Sequence, residues 1–106
     1  MSTDQIISKG KSQLRVDQHF IDQFKLRFGI DVNLDDSFAR SKQLNNQNAA
    51  KYGKTMAQRV YRTSRDNDYH KFYVNLFYDQ VFLVDFATKT LVTTYKLSTA
   101  KSWYEM

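Results

Sequence analysis

The chain has 106 residues with no cysteine, which excludes a disulfide scaffold, a thiolate nucleophile and every Cys-based zinc site, while its two histidines leave little for a metal centre. Its 42% hydrophobic residues, including eight Phe, seven Tyr and one Trp, supply enough apolar surface for one core. Sixteen Lys and Arg against eleven Asp and Glu leave a net charge of +5, and no apolar run approaches the roughly 18 residues of a membrane span or forms a secretory leader. The composition predicts a cytoplasmic globular protein with no membrane contact, no bound metal and no cofactor.

Residues 1–15 are mostly polar and predict a mobile N-terminal tail, followed by a single α+β domain over 16–106. Asp17 is placed to cap a helix over 17–28. Val16, Phe20, Phe24 and Phe28 recur every fourth residue, Ile21 widens the stripe, and Gly29 stands where a left-handed cap belongs. Asp35-Asp36-Ser37 signals a second, short helix with Phe38, Ser41 and Leu44 on its stripe. The polar run Asn45-Asn46-Gln47-Asn48 then reads as a loop that Gly53 ends in a turn.

From Thr55 the period reads as two. TMAQRVYRT, YHKFYVNLFY, VFLVDF and LVTTYKL predict four strands joined by short polar turns, hence an antiparallel meander. The C-terminal STAKSWYEM predicts one helical turn that lays Trp103 on an edge or seam. The expected fold is α+β, with two N-terminal helices on one face of a four-stranded antiparallel sheet.

Charge is unevenly distributed. Between Asp36 and Asp66 there is no acidic residue, whereas Arg40, Lys42, Lys51, Lys54, Arg59, Arg62 and Arg65 all fall in that interval. Such a block concentrates polyanions near it, and a solvated basic face is the plainer account of the same residues. On the first expected strand, Arg59, Tyr61, Thr63 and Arg65 alternate onto one face, with Val60, Arg62 and Ser64 on the other. A ring between guanidinium groups suits single-stranded nucleic acid by stacking and phosphate contact. Tyr61 packed in the core, with the arginines reaching past it, is the competing reading. Lys51, Lys54 and Arg62 complete this candidate nucleic-acid or partner-binding set.

On the first helix His19, Gln23 and Arg27 are spaced by four and share a rim, bringing a proton-transfer group and a phosphate-binding fork to one side. His19 simply following the cap, and Arg27 answering the C-terminal dipole, accounts for the same spacing without a ligand. His70, Thr93, Thr94 and Tyr95 are polar handles on β-prone segments. Asp85, inside the apolar run Val81–Phe86, must end its strand at the surface or pair with a nearby Arg or Lys. With no second carboxylate at metal-ligand spacing, no Gly-rich phosphate loop and no Ser elbow, a two-metal nuclease, a P-loop enzyme and a Ser hydrolase are disfavoured.

The order of these features, a His-bearing helix in VDQHFIDQFKLRFGI, a polar middle and a closing meander in FLVDFATKTLVTTYKL, resembles the RelE, barnase and colicin-type ribonuclease superfamily over about a third of the chain. Small members of that superfamily are common on phages and mobile elements. The resemblance implies metal-independent RNA cleavage, with His19 as acid or base, Arg27 as phosphate clamp, and Arg59 or Arg62 and Thr94 or Tyr95 completing the site. Active relatives often carry a histidine or arginine on the late strands, where this chain has Thr93, Thr94 and Tyr95. Two expectations follow. One is an RNA- or single-stranded nucleic-acid-binding protein of ribonuclease-like fold, extended by the resemblance to cleavage. The other is a phage-encoded inhibitor of anti-CRISPR or anti-restriction type, docking on a host nuclease or nucleoprotein complex.

Overall fold

The computed structural model describes residues 5–9 and 12–98. Helix α1 (Gln18–Phe28) forms where the stripe and cap place it: the Asp17 carboxylate accepts from the Phe20 N–H at 2.8 Å, and Phe20, Ile21 and Phe24 are buried. Gly29 ends the helix at φ 90°, with its N–H donating to the Lys25 carbonyl at 2.9 Å. That backbone angle disfavours any residue with a Cβ, although the space around Gly29 is open.

Helix α2 (Leu34–Ala39) starts earlier than the Asp-Asp-Ser signal suggests. Its cap is Asn33, whose side chain accepts from the Asp36 N–H at 2.8 Å. It also stops earlier, so only Phe38 of the expected stripe is helical. Ser41 is buried just beyond, its N–H and hydroxyl both donating to the Phe38 carbonyl, and Leu44 follows the two-residue strand β1 (Lys42–Gln43), its N–H donating to the Phe72 carbonyl.

The segment TMAQRVYRT departs most from the expected fold. It is not a strand but the middle of helix α3 (Lys54–Asp66). Met56 and Val60, the buried residues of this helix, are four apart, a spacing that fits either a strand of period two or a helix of period 3.6. The outward set Lys54, Gln58, Tyr61, Arg62 and Arg65 fits only the helix, and all five are exposed.

The last three of the four expected strands form an antiparallel meander. Strands β2 (His70–Asn75), β3 (Gln80–Asp85) and β4 (Thr90–Lys96) pair antiparallel in sequence, with β1 antiparallel beyond β2. The sheet does not end there. The segment read as a tail contributes an antiparallel pair, βA (Gln5–Lys9) and βB (Ser12–Val16), and βB joins β4 in parallel through Arg15 opposite Thr90. The sheet order is therefore βA-βB-β4-β3-β2-β1, six-stranded and mixed rather than four-stranded and antiparallel. It curls so that βA also approaches α2.

Alternation along the strands divides the apolar residues between two layers. Tyr73, Phe82, Val84 and Leu91 pack with Ile7, Leu14, Val16, Phe38 and the α1 stripe. Phe72, Val74, Val81 and Leu97 pack instead with Leu44, Ala49, Met56 and Val60. The two N-terminal helices share one face, as expected, and α3 covers the other. A register shift after Leu83 leaves Val92 without a partner between Thr93 and Leu91, a bulge that lets Leu91 and Thr94 both be buried. Among the described residues no helix is long and apolar enough to cross a membrane. Trp103 lies outside the described residues.

Candidate nucleic-acid interface

Helix α3 gathers most of the basic candidates, though not in the expected pairing. A strand would have set Arg59, Tyr61 and Arg65 together; the helix sets Tyr61, Arg62 and Arg65 on its solvent face with Lys54. Tyr61 is 58% exposed, so the core reading of its ring is excluded. The Arg62 side chain has no hydrogen bond or ion pair among the described residues. Arg65 meets the first acidic residue of the segment, its Nε lying 3.1 Å from the Asp66 carboxylate.

Arg59 is turned aside. Its guanidinium carbon sits 4.9 Å from the centroid of the Tyr95 ring, and the Tyr95 hydroxyl donates to Met56 Sδ at 3.7 Å. Burial raises the Tyr95 pKa, and the nearby Arg59 charge only partly offsets that. Lys51 is exposed in the 3-10 turn Ala49–Tyr52 that leads into α3. Gly53 offers the helix no side-chain cap, and its first turn carries no acid. No acidic residue of that first turn offsets the positive end of the helix dipole.

The three residues proposed for cleavage are not brought together. His19 and Arg27 are exposed on α1, on one face of the sheet. Tyr95 packs on the α3 face. Arg27 comes nearest, its Nη1 donating to the Thr94 carbonyl, while the buried Thr94 hydroxyl donates to the Val81 carbonyl at 2.9 Å. Thr94 and Tyr95 therefore point to opposite layers.

His70 has a partner that reading along the chain does not reveal. It stands opposite Asp85 across β2 and β3, and its Nε2 donates to Asp85 Oδ2 at 3.2 Å. Asp85 ends its strand, as one alternative required, and pairs with a histidine rather than an Arg or Lys. Burial raises its pKa, but hydrogen bonds from the Ala87 and Thr88 N–H groups and the His70 side chain more than offset that, so the net shift is downward.

The Asn-rich run is spent on its own backbone: Asn45 accepts from the Gln47 and Asn48 N–H groups, and Asn48 accepts from the Asn45 N–H, each at 2.8 Å. No group of three or more potential metal ligands occurs among the described residues. No protein-family model matches the chain, and no curated protein or solved structure matches it.

Proposed function

We propose that the protein binds single-stranded nucleic acid, RNA foremost, through the outward face of α3. The carrying observation is the exposed Tyr61 ring, with Arg65 one turn further along the same outward face and Arg62 beside it, on a helix with no acidic residue before Asp66. Guanidinium groups supply phosphate contacts, and an exposed ring stacks on a base only where that base is unpaired, which favours a single strand over a duplex. From Lys54 to Arg65 the stripe runs about 16 Å along the helix, room for a few nucleotides. The amino end of α3, whose first turn carries no acidic residue, adds to the same positive field.

Binding and cleavage separate in this reading. His19 and Arg27 lie across the sheet from Tyr95 and α3, so the α3 surface works as a binding face without them.

The test is a titration of the purified protein with a single-stranded RNA oligonucleotide over a range of salt. Affinity should fall with a log-log slope of about −0.7 per phosphate contacted. Tyr61→Ala should lose about 1–3 kcal/mol of binding, and Arg62→Glu should lose affinity and flatten the salt slope. A salt-independent titration, or full affinity in both variants, refutes the proposal; equal affinity for a duplex of the same sequence removes the stacking role of Tyr61.

A further inference from the structure

A cleft of about 520 Å³ lies beside the start of α3, outside the stripe just described. It is lined by Tyr52 from the turn before α3, by Phe77 and Tyr78 from the β2–β3 turn, by Asp36 of α2 and Arg40 just after it, and by Lys42 of β1. Its volume falls within the range of small-molecule sites, roughly 300–1,000 Å³. The apolar surface beside it is not a chance exposure of one side chain. Leu76 and Phe77 are 61% and 85% exposed at the cleft, and apolar surface left open at the rim of a concavity marks a contact site.

The aromatic side is held in place from below. Asn75 is buried; its Oδ1 accepts from the Tyr78 N–H at 3.2 Å and its Nδ2 donates to the Ser37 carbonyl at 2.9 Å, tying the turn to α2. The Phe77 and Tyr78 rings then meet edge to face with centroids 4.8 Å apart. On the polar side the Asp36 carboxylate holds Arg40 Nε at 3.0 Å, and Lys42 is exposed on the edge strand.

Rings and cations at one preformed cleft suit a ligand that is planar and aromatic at one end and anionic at the other. A nucleotide has that chemistry. Tyr52 precedes the first residue of α3 by only two positions, so a strand leaving the amino end of the helix reaches the cleft directly. We infer that the cleft binds one nucleotide, its base stacked on the aromatic side and its phosphate held by Lys42 and Arg40. The continuity with α3 rests on the nucleic-acid reading of that helix; the nucleotide site itself does not.

The experiment uses AMP and adenosine with the full-length protein, followed by amide chemical shifts. AMP should produce saturable shifts in residues 40–42, 52 and 76–78. Phe77→Ala should weaken AMP about tenfold or more, the scale of losing one stacked base. Lys42→Ala should narrow the preference for AMP over adenosine without abolishing it, because Arg40 remains at the cleft, and Arg62→Glu should leave AMP affinity unchanged. Both cleft substitutions are at exposed positions, and the unperturbed spectrum of each variant verifies its fold. No saturable shift at the cleft, or shifts confined to α3, overturns the inference, as does displacement of AMP by an acidic peptide that binds there more tightly. If RNA binds α3 while AMP leaves the cleft unmoved, the cleft proposal fails and the α3 reading survives; cleft binding by AMP with RNA affinity indifferent to Arg62→Glu gives the converse.

Discussion

The side-chain amide of Gln80 is fully buried at the start of β3, and among the described residues neither its nitrogen nor its oxygen has a hydrogen-bond partner. A buried polar group left unpaired costs about 1–3 kcal/mol. Methionine has nearly the same length and shape without that cost, so Gln80→Met should stabilise the protein by about 1 kcal/mol and raise the melting temperature by about 4–8 °C. A lower melting temperature would mean that the amide is satisfied in solution. Asp85 works in the opposite sense, because its carboxylate is the acceptor for two turn N–H groups and His70. Its folded pKa is depressed, so its contribution is fully present above the unfolded value of about 3.9 and is lost as pH falls through the folded value. Urea midpoints measured from neutral pH down to about pH 2 should therefore decline at the acid end less steeply in Asp85→Asn than in wild type. An identical decline would remove Asp85 from the acid response. Asp85 was legible in the sequence as a residue in need of a partner. His70 was not legible as that partner, because only the β2–β3 register places the two opposite each other.

At the scale of elements, α3 is the instructive failure. Thr55, Val60, Tyr61 and Thr63 are β-prone, and the Met56–Val60 spacing is compatible with either period, so the residues suggested a strand. The helix is decided by its contacts: Met56 and Val60 close the second core with Phe72, Val74 and Val81. The two assignments make opposite statements about stability. In the helix, Met56→Ala should cost about 2–5 kcal/mol while Tyr61→Ala stays within about 0.5 kcal/mol, since one is buried and the other exposed. Urea denaturation of both variants tests this, and a large loss at Tyr61 would restore the strand. Helix α1 was legible because its signals are local: the Asp17 cap, the Phe stripe and Gly29 lie within one segment. The βA–βB pair was not, because the apolar residues Ile6, Ile7, Leu14 and Val16 stand in a mostly polar segment until Arg15, whose N–H donates to the Lys89 carbonyl at 2.7 Å, joins it to the far end of the chain.

Across the whole molecule, the sheet acts as a partition. The acid-free basic block was visible in the sequence as charge, but its arrangement into a helical stripe and a separate cleft depended on the fold. Arg40, Tyr52 and Phe77 are far apart in sequence and meet only where α2, the turn before α3 and the β2–β3 turn converge. The same partition separates His19 and Arg27 from Tyr95 and splits the apolar core into two clusters. That division has an energetic consequence. Phe38 and Phe82 share one cluster, with ring centroids 5.2 Å apart in an edge-to-face pair, whereas Val60 belongs to the other cluster. A Phe38→Leu/Phe82→Leu double-mutant cycle should give a coupling of about 0.5–1.5 kcal/mol, because either substitution alone already removes the ring pair. The Phe38→Leu/Val60→Ala cycle should be additive within about 0.5 kcal/mol, since the sheet stands between the two side chains and they share no packing partner. Conservative substitutions keep each variant folded enough for equilibrium denaturation in urea. Strong coupling between Phe38 and Val60, comparable with that of the ring pair, would show that the two layers respond as one core and that the sheet does not isolate them.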